Sequence, residues 1–235
     1  MIRKTIEKGM EKGREKGKRI GRHSAVFHAG KVNQNRGQEG SGRWIPFAAY
    51  CTTGRFMKLG SGFRRHCGPT AAVNLILTLR RYHESIKRTA AGAERKAPQG
   101  HESPEELFLL CTGIGRQALA YWNTDVLGRF GGTSNFLTGI FLRRCLRAAG
   151  LAGVSVRFNP WITPDVVEKA LERGQIVYLE VYRHPRYKNH HMLCYACRME
   201  NGTRRFLLAD GWSPAPVWTE EKGLGHGHFL TVSCG

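Results

Sequence analysis

Apolar and polar positions divide this chain into a featureless start, a helical middle and a strand-rich end. Residues 1–43 show no apolar stripe; Lys-Gly recurs every four residues, in Glu7-Lys8-Gly9, Glu11-Lys12-Gly13 and Glu15-Lys16-Gly17. Glu and Lys at that spacing can pair along a helix. Repeated Gly costs such a helix roughly 1 kcal/mol per residue relative to Ala. Residues 30–43 are rich in Gly, Asn, Gln and Arg and read as a linker. The expected organisation is a disordered or frayed basic tail over 1–43, then one folded domain over 44–235, opening near Trp44-Ile45-Pro46-Phe47.

Within that domain Pro69 to about Tyr82 reads as a buried helix, carried by the apolar-rich run Val73 to Leu79. Residues 88–102 read as a polar loop. Ser103-Pro104-Glu105-Glu106 has the composition of a capped helix start. That helix is expected to reach Cys111 and to continue past Gly115 toward Trp122. Gly131-Gly132-Thr133-Ser134-Asn135 reads as a turn; an ordinary helix start and the lining of a substrate cleft are both open for it. A helix follows from about Asn135 to Ala149, stopped by Gly150. Thr163-Pro164-Asp165 caps another that ends near Arg173-Gly174. Strands are then expected over Gln175–Tyr182, His191–Met199, Arg204–Ala209 and about His228–Ser233. Asn201-Gly202 between two of them is a hairpin signal. Helices first and a mostly antiparallel sheet after define an α+β fold.

Charge and cysteine content narrow the picture. The formal net charge is +19, and residues 1–43 hold twelve Lys/Arg against four Glu, so +8 of it lies in the tail. A cationic surface favours polyanions, so the tail is a candidate arm for nucleic acid or an anionic surface. A soluble basic protein without a dedicated anion partner is the alternative. Seven irregularly spaced cysteines do not form a disulfide framework. Cys111, Cys145 and Cys194 sit in apolar segments, as buried free thiols do. That favours a reducing compartment, and with neither a membrane span nor a secretory signal in the sequence, the cytoplasm is expected.

The chemistry concentrates at Cys67-Gly68-Pro69-Thr70. A cysteine at a helix start is placed where the helix dipole and a nearby imidazole can lower its pKa. A histidine should then lie within reach, and His191 is the candidate. With Asn201 and Gly202 as the two turn residues, Leu193 pairs with Asp210 and His191 with Trp212. His191 and Asp210 then become diagonal neighbours on one face. A carboxylate there would orient the ring and stabilise its charged form. His190 points to the other face, and a one-residue bulge would reverse that choice.

Cys67-Gly68-Pro69 before an apolar helix, His191 opening a strand and Asp210-Gly211-Trp212 ending the next resemble the papain-like cysteine peptidase superfamily. The nearest branch is that of the bacterial bacteriocin-processing peptidase domains. The resemblance covers about residues 50–235. It implies a papain-like fold and a cysteine hydrolase acting on a peptide or isopeptide bond, without metal or organic cofactor. It also implies Cys67 as nucleophile, His191 as base and Asp210 as orienting acid. The family usually places a Gln several residues before the nucleophile. Here Ser61 stands six before Cys67, and no Gln lies between Gln38 and Cys67. Ser61 and the Cys67 N–H are the candidate oxyanion donors. Two other readings stay open: a silent papain-like domain that binds peptide or nucleic acid, and a transglutaminase-like acyltransferase. Cys194-x-x-Cys197 lacks the second cysteine pair of a zinc site. His226-Gly227-His228 reads as a loop, and Gly113-Ile114-Gly115 lacks the setting of a dinucleotide site.

Overall fold

The protein is described from a computed structural model, which covers residues 49–59, 65–91, 102–122 and 132–234. The chain divides into Met1–Gln38 and Glu39–Gly235, and all described residues belong to the second unit. The tail, the Trp44–Phe47 opening, Ser61 and most of the expected 88–102 loop lie outside the described residues.

The second unit mixes helix with an antiparallel sheet. Its helices are α1 (Thr53–Met57), α2 (Cys67–Ala91), α3 (Pro104–Gln117), α4 (Thr138–Ala148) and α5 (Pro164–Glu172). A small sheet pairs β1 (Tyr121–Trp122) with β2 (Gly132–Thr133). The main sheet holds β3 (Val154–Asn159), β4 (Ile176–His184), β5 (Lys188–Glu200), β6 (Thr203–Ala209), β7 (Val217–Glu220) and β8 (His226–Cys234). Its spatial order is β3-β8-β4-β5-β6-β7, antiparallel throughout. A β4-to-β7 meander thus receives its last strand between β3 and β4.

Local signals account for the boundaries. Ser103 accepts from the Glu106 N–H while the Glu106 carboxylate accepts from the Ser103 N–H, a reciprocal cap at α3. The Thr163 hydroxyl accepts from the Val166 N–H at the start of α5. Gly150 (φ 80°) and Gly174 (φ 73°) follow the ends of α4 and α5 in the left-handed region. Asn201 (φ 50°) and Gly202 (φ 71°) both take positive φ, as a two-residue hairpin turn of the primed kind requires.

Five expectations change. Helix α2 is longer than its apolar run, because its C-terminal part carries helix-forming polar residues. Helix α3 stops at Gln117 instead of running toward Trp122, since Leu119 takes a positive φ of 52° and Tyr121–Trp122 form β1. Gly132–Thr133 is a strand, paired with Tyr121–Trp122. His226–His228 belongs to β8, where Gly227 is opposite Val181 at a backbone approach that leaves no room for a Cβ. Strands β3 and β7 carry no expected counterpart, since each is short and only half-buried.

The main sheet has two covered faces. Side chains of Tyr178, Leu230, Leu193 and Val156 share one face by register, and α2 and α4 pack there. Helix α5 packs on the other, against β4 and β5. Helix α3 lies against α2 and α4, and Phe108 stacks on Phe56 of α1 with ring centroids 4.3 Å apart. All seven cysteines are free. Among the described residues no helix is long and apolar enough to cross a membrane.

Residues 49–52 are strapped across α2 by polar side chains inside the core. Asn74 is fully buried; its Oδ1 accepts from the Cys51 N–H (2.6 Å) and its Nδ2 donates to the Cys51 carbonyl (3.1 Å). Thr78 Oγ1 accepts from the Ala49 N–H at 2.8 Å. Replacing Asn74 with Ala leaves two buried main-chain groups unpaired, which costs about 1–3 kcal/mol for each. We expect urea denaturation of Asn74→Ala to show a loss of at least about 2 kcal/mol; a loss within error would mean the strap carries no load.

Candidate functional site

Cys67 is the first residue of α2, and the first helical bond runs from the Thr70 N–H to the His66 carbonyl at 3.0 Å. The Cys67 and Gly68 N–H groups therefore have no acceptor within the helix, and Pro69 has no N–H to leave unpaired. Gly68 lets β2 close on this turn: a Cβ there would fall 2.7 Å from the Thr133 Cβ. Below it, the Tyr178 hydroxyl donates to the Gly68 carbonyl at 3.3 Å. The start of α2, β2, β4 and β5 thus converge at one place.

His191 lies in that convergence. Its main chain hydrogen-bonds the Cys67 thiol, and its ring contacts the Thr133 main chain and lies 5.8 Å from the Tyr178 ring. The ring is buried, and Nδ1 has no hydrogen-bond partner. Opposite His191 on β4 stands Glu180, also buried and also opposite His228 on β8. Glu180 Oε2 is 2.7 Å from His228 Nε2, close enough for an ion pair but poorly aligned for a hydrogen bond. The Tyr182 hydroxyl meets His228 Nδ1 at 2.8 Å. Thr70 Oγ1 and Thr133 Oγ1 are buried without partners at the same helix start. Unpaired buried polar atoms are costly, so a cluster of them needs a physical reason.

Burial dominates the electrostatics. It pushes the Cys67 thiol above its ordinary 9.0; hydrogen bonds from the His191, Gly68 and Cys67 backbone oppose this, and the Glu180 charge adds to it. Burial also lowers His191 below 6.5, against the pull of Glu180 and the Thr133 main chain. Thiol and imidazole are therefore both neutral near pH 7. This departs from the lowered thiol pKa expected at a helix start: the neighbouring atoms desolvate a thiolate even though the Cys67 residue as a whole is only half-buried. His228 moves the other way. Burial works to lower it, and the Glu180 carboxylate overcomes that and raises it.

Asp210 does not meet His191. Its carboxylate accepts from the Ser213 N–H (2.8 Å), the Trp212 N–H (2.9 Å) and the Ser213, Tyr187 and Tyr50 hydroxyls. Burial opposes its ionisation, but these bonds together hold it below the usual carboxylate range. The reason for its placement is a bulge. From Glu200–Thr203 to Ala196–Leu207 the hairpin keeps the register expected from Asn201-Gly202; Tyr195 is then an extra residue, and Leu193 pairs with Ala209. The one-residue shift moves Asp210 to the face of His190. His190 Nε2 accordingly donates to the Asp210 carbonyl at 2.6 Å, and its ring stacks on Tyr187. The expected pairings of Leu193 with Asp210 and of His191 with Trp212 are corrected by this register.

The Cys67 thiol thus lies beside the main chain of His191, Asp210 stands apart, and Ser61 lies outside the described residues. Glu180, Tyr178 and His228 were missed, while Thr133 falls in the Gly131–Asn135 segment, for which the sequence allows a cleft lining. Glu180 had a signal: it is the one charge in Ile176-Val177-Tyr178-Leu179-Glu180-Val181, and a buried strand does not keep a lone carboxylate without a partner. Cys194 and Cys197 make separate contacts, to the Ala196 carbonyl and to Glu168. Among the described residues no group of three or more His, Cys, Asp or Glu side chains is placed to hold a metal ion. A scan against models of protein families matches none, and a search of curated proteins returns no match.

His190 gives this region a pH signature. Burial first, with help from its histidine neighbours, pulls it down to about 4 from 6.5 despite the Asp210 carbonyl. A folded pKa below the unfolded one means the stabilisation is complete above pH 6.5 and is lost as pH falls toward 4. By pH 4.5 the loss should be about 2–3 kcal/mol in urea denaturation, and the His190 ring should titrate by NMR with a midpoint near 4. A midpoint near 6.5 would contradict its enclosure.

Proposed function

We propose that this chain is a cysteine hydrolase of the papain-like kind, with Cys67 as nucleophile and His191 as its base. The observation that supports it best is the thiol on the first residue of α2 beside the main chain of His191, whose buried ring keeps Nδ1 without a hydrogen-bond partner. The α+β architecture, with the nucleophile helix packed on an antiparallel sheet, agrees with the resemblance in Cys67-Gly68-Pro69.

Because both groups rest neutral, the chemistry is general-base catalysis rather than attack by a standing thiolate. As sulfur adds to the carbonyl carbon of a peptide or isopeptide bond, the S–H proton passes to His191. The carbonyl π electrons move to oxygen, and the oxyanion faces the N–H groups of Cys67 and Gly68, which no helix carbonyl satisfies and which exchange the sulfur for it. His191 then gives its proton to the leaving amine as the C–N bond breaks, which leaves a thioester on Cys67. Water, deprotonated by His191, adds to the thioester; the acid leaves and sulfur recovers its proton. An amine in place of water would make the same intermediate an acyl donor. Glu180, directly opposite His191, favours the imidazolium as it forms, the task expected of Asp210. Asp210 instead locks the Trp212–Ser213 turn. No cofactor enters these steps. The seven free thiols fit a reducing compartment such as the cytoplasm.

The raised thiol and the lowered imidazole favour one second reading, a silent domain that binds peptide without cleaving it. A peptidyl vinyl sulfone separates the two, with Cys234, also partly exposed, as internal standard. For the hydrolase, adduct mapping should find Cys67 labelled at least tenfold faster than Cys234 at pH 7.5. His191→Ala should remove that advantage, Glu180→Gln should reduce it several-fold, and Asp210→Asn should leave it within twofold. Equal labelling of Cys67 and Cys234 in the unaltered protein would leave the silent domain.

A further inference from the structure

A cavity of about 220 Å³ lies on the sheet face opposite Cys67. Strand alternation fixes its side: Thr231, at its floor, is opposite Arg157 on β3 and Val177 on β4, one step out of phase with Leu230 and Tyr178. Six polar or charged side chains line it: Arg157, Asn159, Lys169, Arg173, Gln175 and Thr231. Three are cations and none is a carboxylate.

Helix α5 explains the missing carboxylates. Two of its three acids, Asp165 and Glu168, turn to Arg204 of β6, at 2.5 Å and 3.3 Å, and the third, Glu172, is outside the cavity lining. Its other stripe, Val166, Lys169, Ala170 and Arg173, follows i, i+3, i+4, i+7 spacing and faces the cavity. Among the described residues none of Arg157, Lys169 and Arg173 has an ion-pair partner. Lys169 and Arg173 also suit the negative end of α5. That does not account for Arg157, which reaches the same cavity from a different element. All three are exposed residues on the rim of one concave space, so solvent screens their mutual repulsion, and an anion entering the space would meet all three.

We propose that this cavity binds the phosphate of a small phosphate ester or diphosphate. A phosphate offers two negative charges and several acceptor oxygens, which match two guanidinium forks and one ammonium. Asn159, Gln175 and Thr231 add neutral donors for the remaining oxygens. The cavity is short, so it suits a terminal group on a small molecule rather than the length of a polymer. The site stands whether or not Cys67 is a nucleophile.

Calorimetric titration of the full chain with pyrophosphate at 50 mM salt tests this. One saturable site is expected. Arg157→Ala/Arg173→Ala should weaken it at least tenfold, and Lys169→Ala alone several-fold. Arg144→Ala/Arg147→Ala removes the same charge from the exposed flank of α4 and should change affinity less than twofold. Equal losses in the two double variants would reduce the effect to the general positive field. Absence of saturation would overturn the site. So would tight binding of a ten-nucleotide single strand, lost in the cavity variant, with no binding of pyrophosphate.

Discussion

The constraint on which the molecule turns is the burial of a helix start. The first turn of α2 carries N–H groups that no helix can satisfy, and here that turn is set against β2, β4 and β5 instead of water. Every adjacent feature answers to that placement. Gly68 makes room for Thr133, Tyr178 caps the Gly68 carbonyl, and the His191 main chain meets the thiol. What stays unanswered is a set of buried atoms with no hydrogen-bond partner: His191 Nδ1, Thr70 Oγ1 and Thr133 Oγ1, beside a Glu180 carboxylate whose one partner is the His228 ion pair. Such atoms cost stability unless a bound group completes them.

The same burial sets the charge state of the pair. In water a helix end and an imidazole would draw a thiol toward thiolate. In this corner desolvation acts on both partners at once and disfavours both charged forms, so the ground state is thiol and neutral ring. Glu180 enters this balance twice. It disfavours thiolate on Cys67 and favours imidazolium on His191. A carboxylate 2.7 Å from His228 is already partly compensated, which explains how it tolerates burial.

The two faces of the sheet carry separate chemistry, and one extra residue decides which side chain joins which face. Tyr195 interrupts the β5–β6 ladder, and everything beyond it changes side. His190, Tyr187, Trp212 and Asp210 become a packed aromatic and hydrogen-bonded corner. His191 keeps the face of Tyr178 and Glu180. The bulged Tyr195 is not idle, since its hydroxyl donates to the Ala49 carbonyl at 2.9 Å and holds the strap over α2.

Where the chain spells out local geometry, it could be read directly. Ser103-Pro104-Glu105-Glu106, Thr163-Pro164 and Asn201-Gly202 act through bonds and dihedrals among near neighbours, so the α3 and α5 starts and the β5–β6 hairpin follow from residue type alone. Cys67 was legible for the same reason, because a Cys-Gly-Pro entry to an apolar run places a thiol at a helix start. His191 was legible as its candidate partner, but Glu180 beside that histidine was not. A ladder's register beyond a bulge depends on which face the core will cover, and no local signal at Tyr195 announces the extra residue. Glu180 and Thr133 reach His191 only through strand pairing and helix packing between segments far apart in the chain. Local bonding wrote the elements, and the competition to bury apolar faces chose which of their side chains meet.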